Sequence, residues 1–114
     1  MRKILLLVSL ISVQNVCIAT EVLRAKVTKL DLARDYGSYV FIKLDATQAN
    51  KPTCHQNGGW NYTSPIVTEM DKAMFSILLA AYMSGKSISI YGSGVCSQFP
   101  YIETAGRVRL EETE

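Results

Sequence analysis

The chain has 114 residues, 48% of them apolar and 19% charged, with 12 Lys and Arg against 10 Asp and Glu. The length suits one domain that can bury a core, though a small one. Arg2 and Lys3 stand at the extreme N-terminus, and beyond them ten cations face ten acids. Such a balance excludes the electrostatic footprint that nucleic acid or an anionic membrane surface requires.

Arg2 and Lys3 precede the apolar run Ile4-Leu5-Leu6-Leu7-Val8-Ser9-Leu10-Ile11, and small residues follow up to Ala19. This is the pattern of a cleavable secretion signal over residues 1–19, with cleavage after Ala19. The run is shorter than the roughly 20 residues of a membrane span, so no span is expected. Val16 before Cys17, and Gln14-Asn15 interrupting the apolar lead-in, do not fit a lipidated cysteine. A single domain over residues 20–114 follows, exported to the periplasm or outside the cell. Cys17 leaves with the signal. Cys54 and Cys96 remain, and an even pair in an exported protein predicts a disulfide, a free thiol being the alternative.

Along the domain, Val22 to Leu32 alternates imperfectly and predicts a strand. Asp35-Tyr36-Gly37 marks a turn, and Ser38 to Leu44 is β-branched and aromatic, which predicts a second strand paired with the first. Asn50-Lys51-Pro52 and Asn57-Gly58-Gly59 bracket a loop around Cys54. Trp60-Asn61-Tyr62 predicts a short third strand or a strand end. Thr68 and Asp71 resemble a capping box, and Gly85 is placed to end the helix after about Met83. Met70, Ala73, Met74, Ile77, Leu78 and Ala81 form one apolar stripe, while Phe75, Leu79 and Tyr82 form a second beside it. A helix lying on a sheet needs only one. The second is either extra core or an oligomer interface. Lys86 to Tyr91 alternates with Ile88 and Ile90 on one face. Tyr101-Ile102 and Arg107 to Leu110 supply a last strand, bent or bulged at Ala105-Gly106. Glu111-Glu112-Thr113-Glu114 predicts a solvated tail.

The expected fold is mainly β with one helix: a five-stranded OB-like barrel in the order β-β-β-α-β-β. A small α+β sheet covered by the helix is the competing architecture.

Catalytic chemistry has little to work with. His55, the sole histidine, follows Cys54, but neighbours on an extended segment point apart and a disulfide would remove the thiolate. No spacing suits a metal, the carboxylates are scattered, and Gly92-Ser93-Gly94 lacks the lysine of a phosphate loop. No enzyme, no cofactor and no metal are expected. Trp60, Asn61 and Tyr62 suggest ligand binding instead, since aromatic faces stack on sugars and an amide directs hydrogen bonds. The simpler alternative is that Trp60 plugs one end of the barrel.

From Trp60 through Tyr82-Met83-Ser84-Gly85-Lys86, Ile90-Tyr91 and Gly94-Val95 to Phe99-Pro100, the C-terminal half resembles the binding (B) subunits of subtilase cytotoxin and typhoid toxin. The resemblance implies an OB-type barrel, a homopentamer whose helices face a central pore, glycan binding on host cells and a catalytic A subunit as partner. Leu23 stands where that family has a pocket serine, and Ser89 where a strand arginine is common, so no pocket residue carries over. The function expected is that of a secreted oligomeric glycan-binding protein of bacterial type. The alternative is a monomeric periplasmic OB-fold binding or stress protein.

Overall fold

The computed structural model describes residues 20–112. The expected signal lies outside the described residues, as do Thr113 and Glu114. Among the described residues no helix is long and apolar enough to cross a membrane.

The fold is mainly β with one helix. Strands β1 (Glu21–Ala25) and β2 (Val27–Leu32) are followed by a 3-10 turn at Arg34–Tyr36, then β3 (Tyr39–Leu44) and β4 (Tyr62–Pro65). Helix α1 (Glu69–Ser84) leads into β5 (Ile88–Gly92) and β6 (Ala105–Leu110). These build two three-stranded antiparallel sheets, ordered β1-β5-β6 and β2-β3-β4. They are not closed into the expected five-stranded barrel. Among the described residues a parallel bridge between Thr63 of β4 and Thr104, just ahead of β6, joins them.

The first predicted strand is two strands, which corrects the count from five to six. The chain crosses from one sheet to the other at Lys26. There the Lys26 amide donates to Asp45 Oδ1 at 2.9 Å, and the Asp45 amide donates to the Lys26 carbonyl at 3.0 Å. Arg24 takes a positive φ of 51°, and register shifts fall on both sides of the corner. Ala25 and Val27 are both buried on either side of exposed Lys26, so the inside–outside alternation runs straight through the corner and masks the break.

β3 and β5 are the central strands. Val40, Ile42 and Leu44 of β3 meet Ile88 and Ile90 of β5 in one aliphatic core, closed by Val22, Tyr62 and the helix. The Gly106 bulge forms as expected, with Tyr91 opposite Arg107 and Gly92 opposite Ala105. Glu111 departs from the solvated tail that the acidic run predicts. It accepts from Ser89 Oγ at 2.6 Å and pairs with Arg24 at 3.9 Å, extending the edge of the sheet.

The helix is capped as its sequence predicts. Asp71 N donates to Thr68 Oγ1 at 3.1 Å, and Thr68 N donates to Asp71 Oδ2 at 3.0 Å. Hydrogen bonds to that carboxylate hold its pKa below the ordinary value. Gly85 ends the helix at φ 69°. The partition of its faces differs from the two-stripe expectation. Leu78 and Ala81 are buried, and Phe75, expected on the second stripe, packs against the core. Met70, expected on the core stripe, is exposed, as is Met83. Leu79 and Tyr82 remain 44% and 47% exposed.

Candidate ligand-binding site

The outer side of the β2-β3-β4 sheet carries the site. Successive strand residues point to opposite faces, so the residues that send Val40 and Ile42 inward send Tyr39 and Phe41 outward. Phe41 is nevertheless buried. Three rings from separate loops cover it: Phe99 at 5.0 Å edge-on, Tyr36 at 5.7 Å edge-on and Trp60 at 5.8 Å, tilted. Phe99 also meets Tyr36 and Tyr39 edge-on. Edge-to-face pairs of this kind add roughly 0.5–1.5 kcal/mol beyond burial.

What delivers Phe99 to a distant strand is the Cys54–Cys96 disulfide, with Cα atoms 6.0 Å apart. Beside it, the amides of Gln56 and Asn57 both donate to the Tyr101 carbonyl at 3.1 Å. The Glu103 amide donates to His55 Nδ1 at 3.0 Å, which fixes the ring proton on Nε2. Burial lowers the His55 pKa, so the ring is held neutral, and Nε2 is buried with no partner among the described residues. The disulfide leaves no thiolate on Cys54 for a Cys–His nucleophile. Among the described residues no three metal-ligating side chains converge.

Between the rings and the β2 edge lies a pocket of about 240 Å3. Tyr36, Trp60 and Phe99 give it apolar ring surface, and Asp31 and Asn57 give it polar groups. Asp31 pairs directly with Phe41 across the strands. Asn57 Oδ1 accepts from Gly59 N at 2.7 Å and from Trp60 N at 3.1 Å, a local turn that sets the tryptophan in place. With both lone pairs of Oδ1 engaged, Asn57 has its amide N–H groups left to donate. Lys29 Nζ lies 5.1 Å from the Trp60 ring centroid. The pocket thus combines flat apolar faces, a carboxylate acceptor and an amide donor.

Of the three residues expected to bind a ligand, the structure brings only Trp60 to this pocket. Asn61 is turned inward: its Oδ1 accepts from Leu44 N at 2.8 Å, and its Nδ2 donates to the Ala46 carbonyl and Gln48 Oε1, both at 2.9 Å. It closes the turn after β3. Tyr62 is 0% exposed, with its hydroxyl 3.5 Å from Thr20 Oγ1, and burial pushes its pKa up to about 12. Tyr36, Phe41 and Phe99 were not expected at the site. Their one sequence signal is Tyr39 and Phe41, two aromatics spaced by two on the strand face opposite Val40 and Ile42. Comparison with known protein families, with curated proteins and with solved structures finds no match to this chain.

Proposed function

We propose that this is an exported glycan-binding protein that takes a sugar residue in the pocket of Tyr36, Trp60, Asp31 and Asn57. One observation carries the reading: ring surface, a carboxylate and a free amide donor share one opening. A sugar offers C–H faces to aromatic rings and hydroxyls to a carboxylate and an amide, so each lining group has a complement. At about 240 Å3 the pocket lies below the roughly 300–1,000 Å3 of sites for drug-sized ligands. The occupant proposed is therefore one terminal monosaccharide of a larger glycan. The disulfide fits a secreted or periplasmic location.

The chain carries a single tryptophan, so Trp60 fluorescence reports the pocket directly. Titration with a panel of monosaccharides should change that emission saturably for at least one sugar, and Asp31→Asn should weaken the response at least tenfold. No response across a glycan array and the monosaccharide panel sinks the proposal.

The wider reading is an OB-type arrangement that assembles like the toxin B subunits the sequence resembles, as a homopentamer serving a catalytic A subunit. In its support, the chain passes from one sheet to the other at Lys26 without a loop, and the Thr63–Thr104 bridge links the two sheets between β4 and the start of β6. Leu79, Tyr82 and Met83 leave apolar helix surface for a neighbouring copy. A monomeric periplasmic binding protein is the second reading, favoured by Phe75, one of the three side chains of the expected interface, which packs on its own core. Light scattering separates the two. An oligomer that Leu79→Glu converts to folded monomer supports assembly, and a wild-type monomer removes it.

A further inference from the structure

Glu103 is 0% exposed, and among the described residues no lysine, arginine or histidine forms an ion pair with it. A buried carboxylate without a cation is costly. Its partners are Thr20 Oγ1, which donates to Oε1, and the Gly94 amide, which donates to Oε2 at 2.9 Å. Thr20 is itself only 1% exposed, and its carbonyl accepts from the Gly92 amide at 2.7 Å. A Cβ at Gly92 would fall on Glu103 Oε2 and Thr20 Oγ1, so the site is closed tightly around this pair. Three bonds separate a threonine nitrogen from its Oγ1, so the Thr20 nitrogen lies within roughly 6 Å of the Glu103 carboxylate.

We propose that processing completes this site: hydrolysis of the Ala19–Thr20 bond frees the Thr20 α-ammonium, which becomes the cation of buried Glu103. The inference rests on the export reading. A signal-type peptidase and one water cleave the peptide, leaving a carboxylate on Ala19 and an amine on Thr20 that takes a proton from solvent. Before cleavage the Thr20 nitrogen is a neutral amide, and afterwards it carries a charge a few ångströms from the buried acid. A negative charge within about 4–6 Å favours the ammonium over the neutral amine. The Tyr62 hydroxyl, His55 and Glu21 are the other titratable groups facing this cluster. Tyr62 and His55 are both held neutral by burial, which leaves the ammonium as the positive charge supplied to the site. The folded domain would thus be more stable processed than unprocessed.

The test compares the exported protein, its selectively N-acetylated form and a form retaining Ala19, each with native Glu103 and with Glu103→Gln. Mass measurement of the exported protein should place its N-terminus at Thr20, and a different N-terminus overturns the inference. The free Thr20 form should exceed the acetylated and Ala19-retaining forms about tenfold in folding equilibrium constant, the equivalent of one unit of pKa elevation for the α-amino group. An elevated group stabilises fully below its ordinary value near 8 and loses that contribution as pH rises through the folded value. The tenfold advantage should therefore fade in alkaline solution. It should also vanish with Glu103→Gln. If that variant does not fold, the pH dependence in the native sequence decides. Equal stabilities of the three forms at pH 7 overturn the proposal without touching the pocket, since none of these measurements involves a sugar.

Discussion

The two faces of the β2-β3-β4 sheet are built by different means. The inner face is aliphatic, with Val40, Ile42 and Leu44 interlocked with the second sheet and the helix. The outer face is aromatic, and its cover comes from three places far apart in the chain: Tyr36 on the 3-10 turn, Trp60 before β4, and Phe99 on the loop after β5. The inner layer is held by strand pairing and by burial itself. The outer layer is held by one disulfide and a few backbone hydrogen bonds. The same strand thus serves both a core that specifies the fold and a shallower layer that specifies a pocket, and the two should fail separately.

The largest expected effect is loss of the staple. Replacing Cys54 and Cys96 by Ser opens a loop of sequence separation 42, which the chain-entropy model puts at about 4 kcal/mol. Urea denaturation should show that loss, and the near-ultraviolet circular dichroism of the aromatic layer should fall even under conditions where the far-ultraviolet spectrum stays native. Loss of stability with an undisturbed aromatic signal would break the comparison, because the outer layer would then not depend on the bridge.

Ile42→Ala attacks the other face. Ile42 is fully buried, and truncation there should cost about 2–5 kcal/mol through lost transfer energy and a residual cavity. Below the transition, Trp60 emission and any sugar response should persist, since Ile42 and Phe41 are successive residues of one strand and point to opposite faces. A matching loss of the pocket signal would mean that the two faces form one cooperative unit.

Acid provides a finer tool. Burial is the main cause that lowers the His55 pKa, with Lys51 nearby acting in the same direction and Glu103 opposing it. A base whose folded pKa lies below its unfolded value is protonated first in the unfolded chain. Its contribution is therefore present above about pH 6.5 and lost as pH falls from there toward the folded value. The decline should be no steeper than about 1.4 kcal/mol per pH unit for this one group. His55→Asn should flatten it. Protonation of Nδ1 would also forfeit the bond from the Glu103 amide, so near-ultraviolet dichroism should move in the same pH window.

What could be foreseen from the chain separates along the same line. The helix limits follow from short-range chemistry, because Thr68, Asp71 and Gly85 need only their own neighbours to cap it. The Ile88–Ile90 alternation and the pairing of the two remaining cysteines are similarly local or arithmetical. The break at Lys26 is not, because the positive φ at Arg24 follows from where two sheets meet. Nor could periodicity choose between Met70 and Phe75 for the core, since the helix is apolar around most of its circumference and angle alone does not rank its faces. The pocket was the least visible. Its residues lie on five segments, two of them tied together by the Cys54–Cys96 bridge, and the Trp60-Asn61-Tyr62 cluster misled because Trp60 and Asn61 lie before β4, whereas Tyr62 opens the strand and faces the core opposite Ile42.

The smallest effect tests the pocket at its most local point. Asn57 has two separable jobs: its Oδ1 holds the Gly59 and Trp60 amides, and its amide group is left to a ligand. Asn57→Ala removes both, and should cost about 1 kcal/mol, the net worth of a typical hydrogen bond, while shifting Trp60 emission as the ring loses its anchor. Asn57→Asp keeps an oxygen for the two backbone amides and removes only the donor. It should therefore match the wild type in denaturation within about 0.5 kcal/mol and preserve the emission of the free protein. Its sugar response should nevertheless weaken, because a second carboxylate would join Asp31 where a hydroxyl oxygen needs a proton to accept. If the Asp variant instead loses the native Trp60 emission, the Asn57 turn is not what positions the tryptophan, and the outer layer owes its order to the disulfide and the Phe41–Phe99 contact alone.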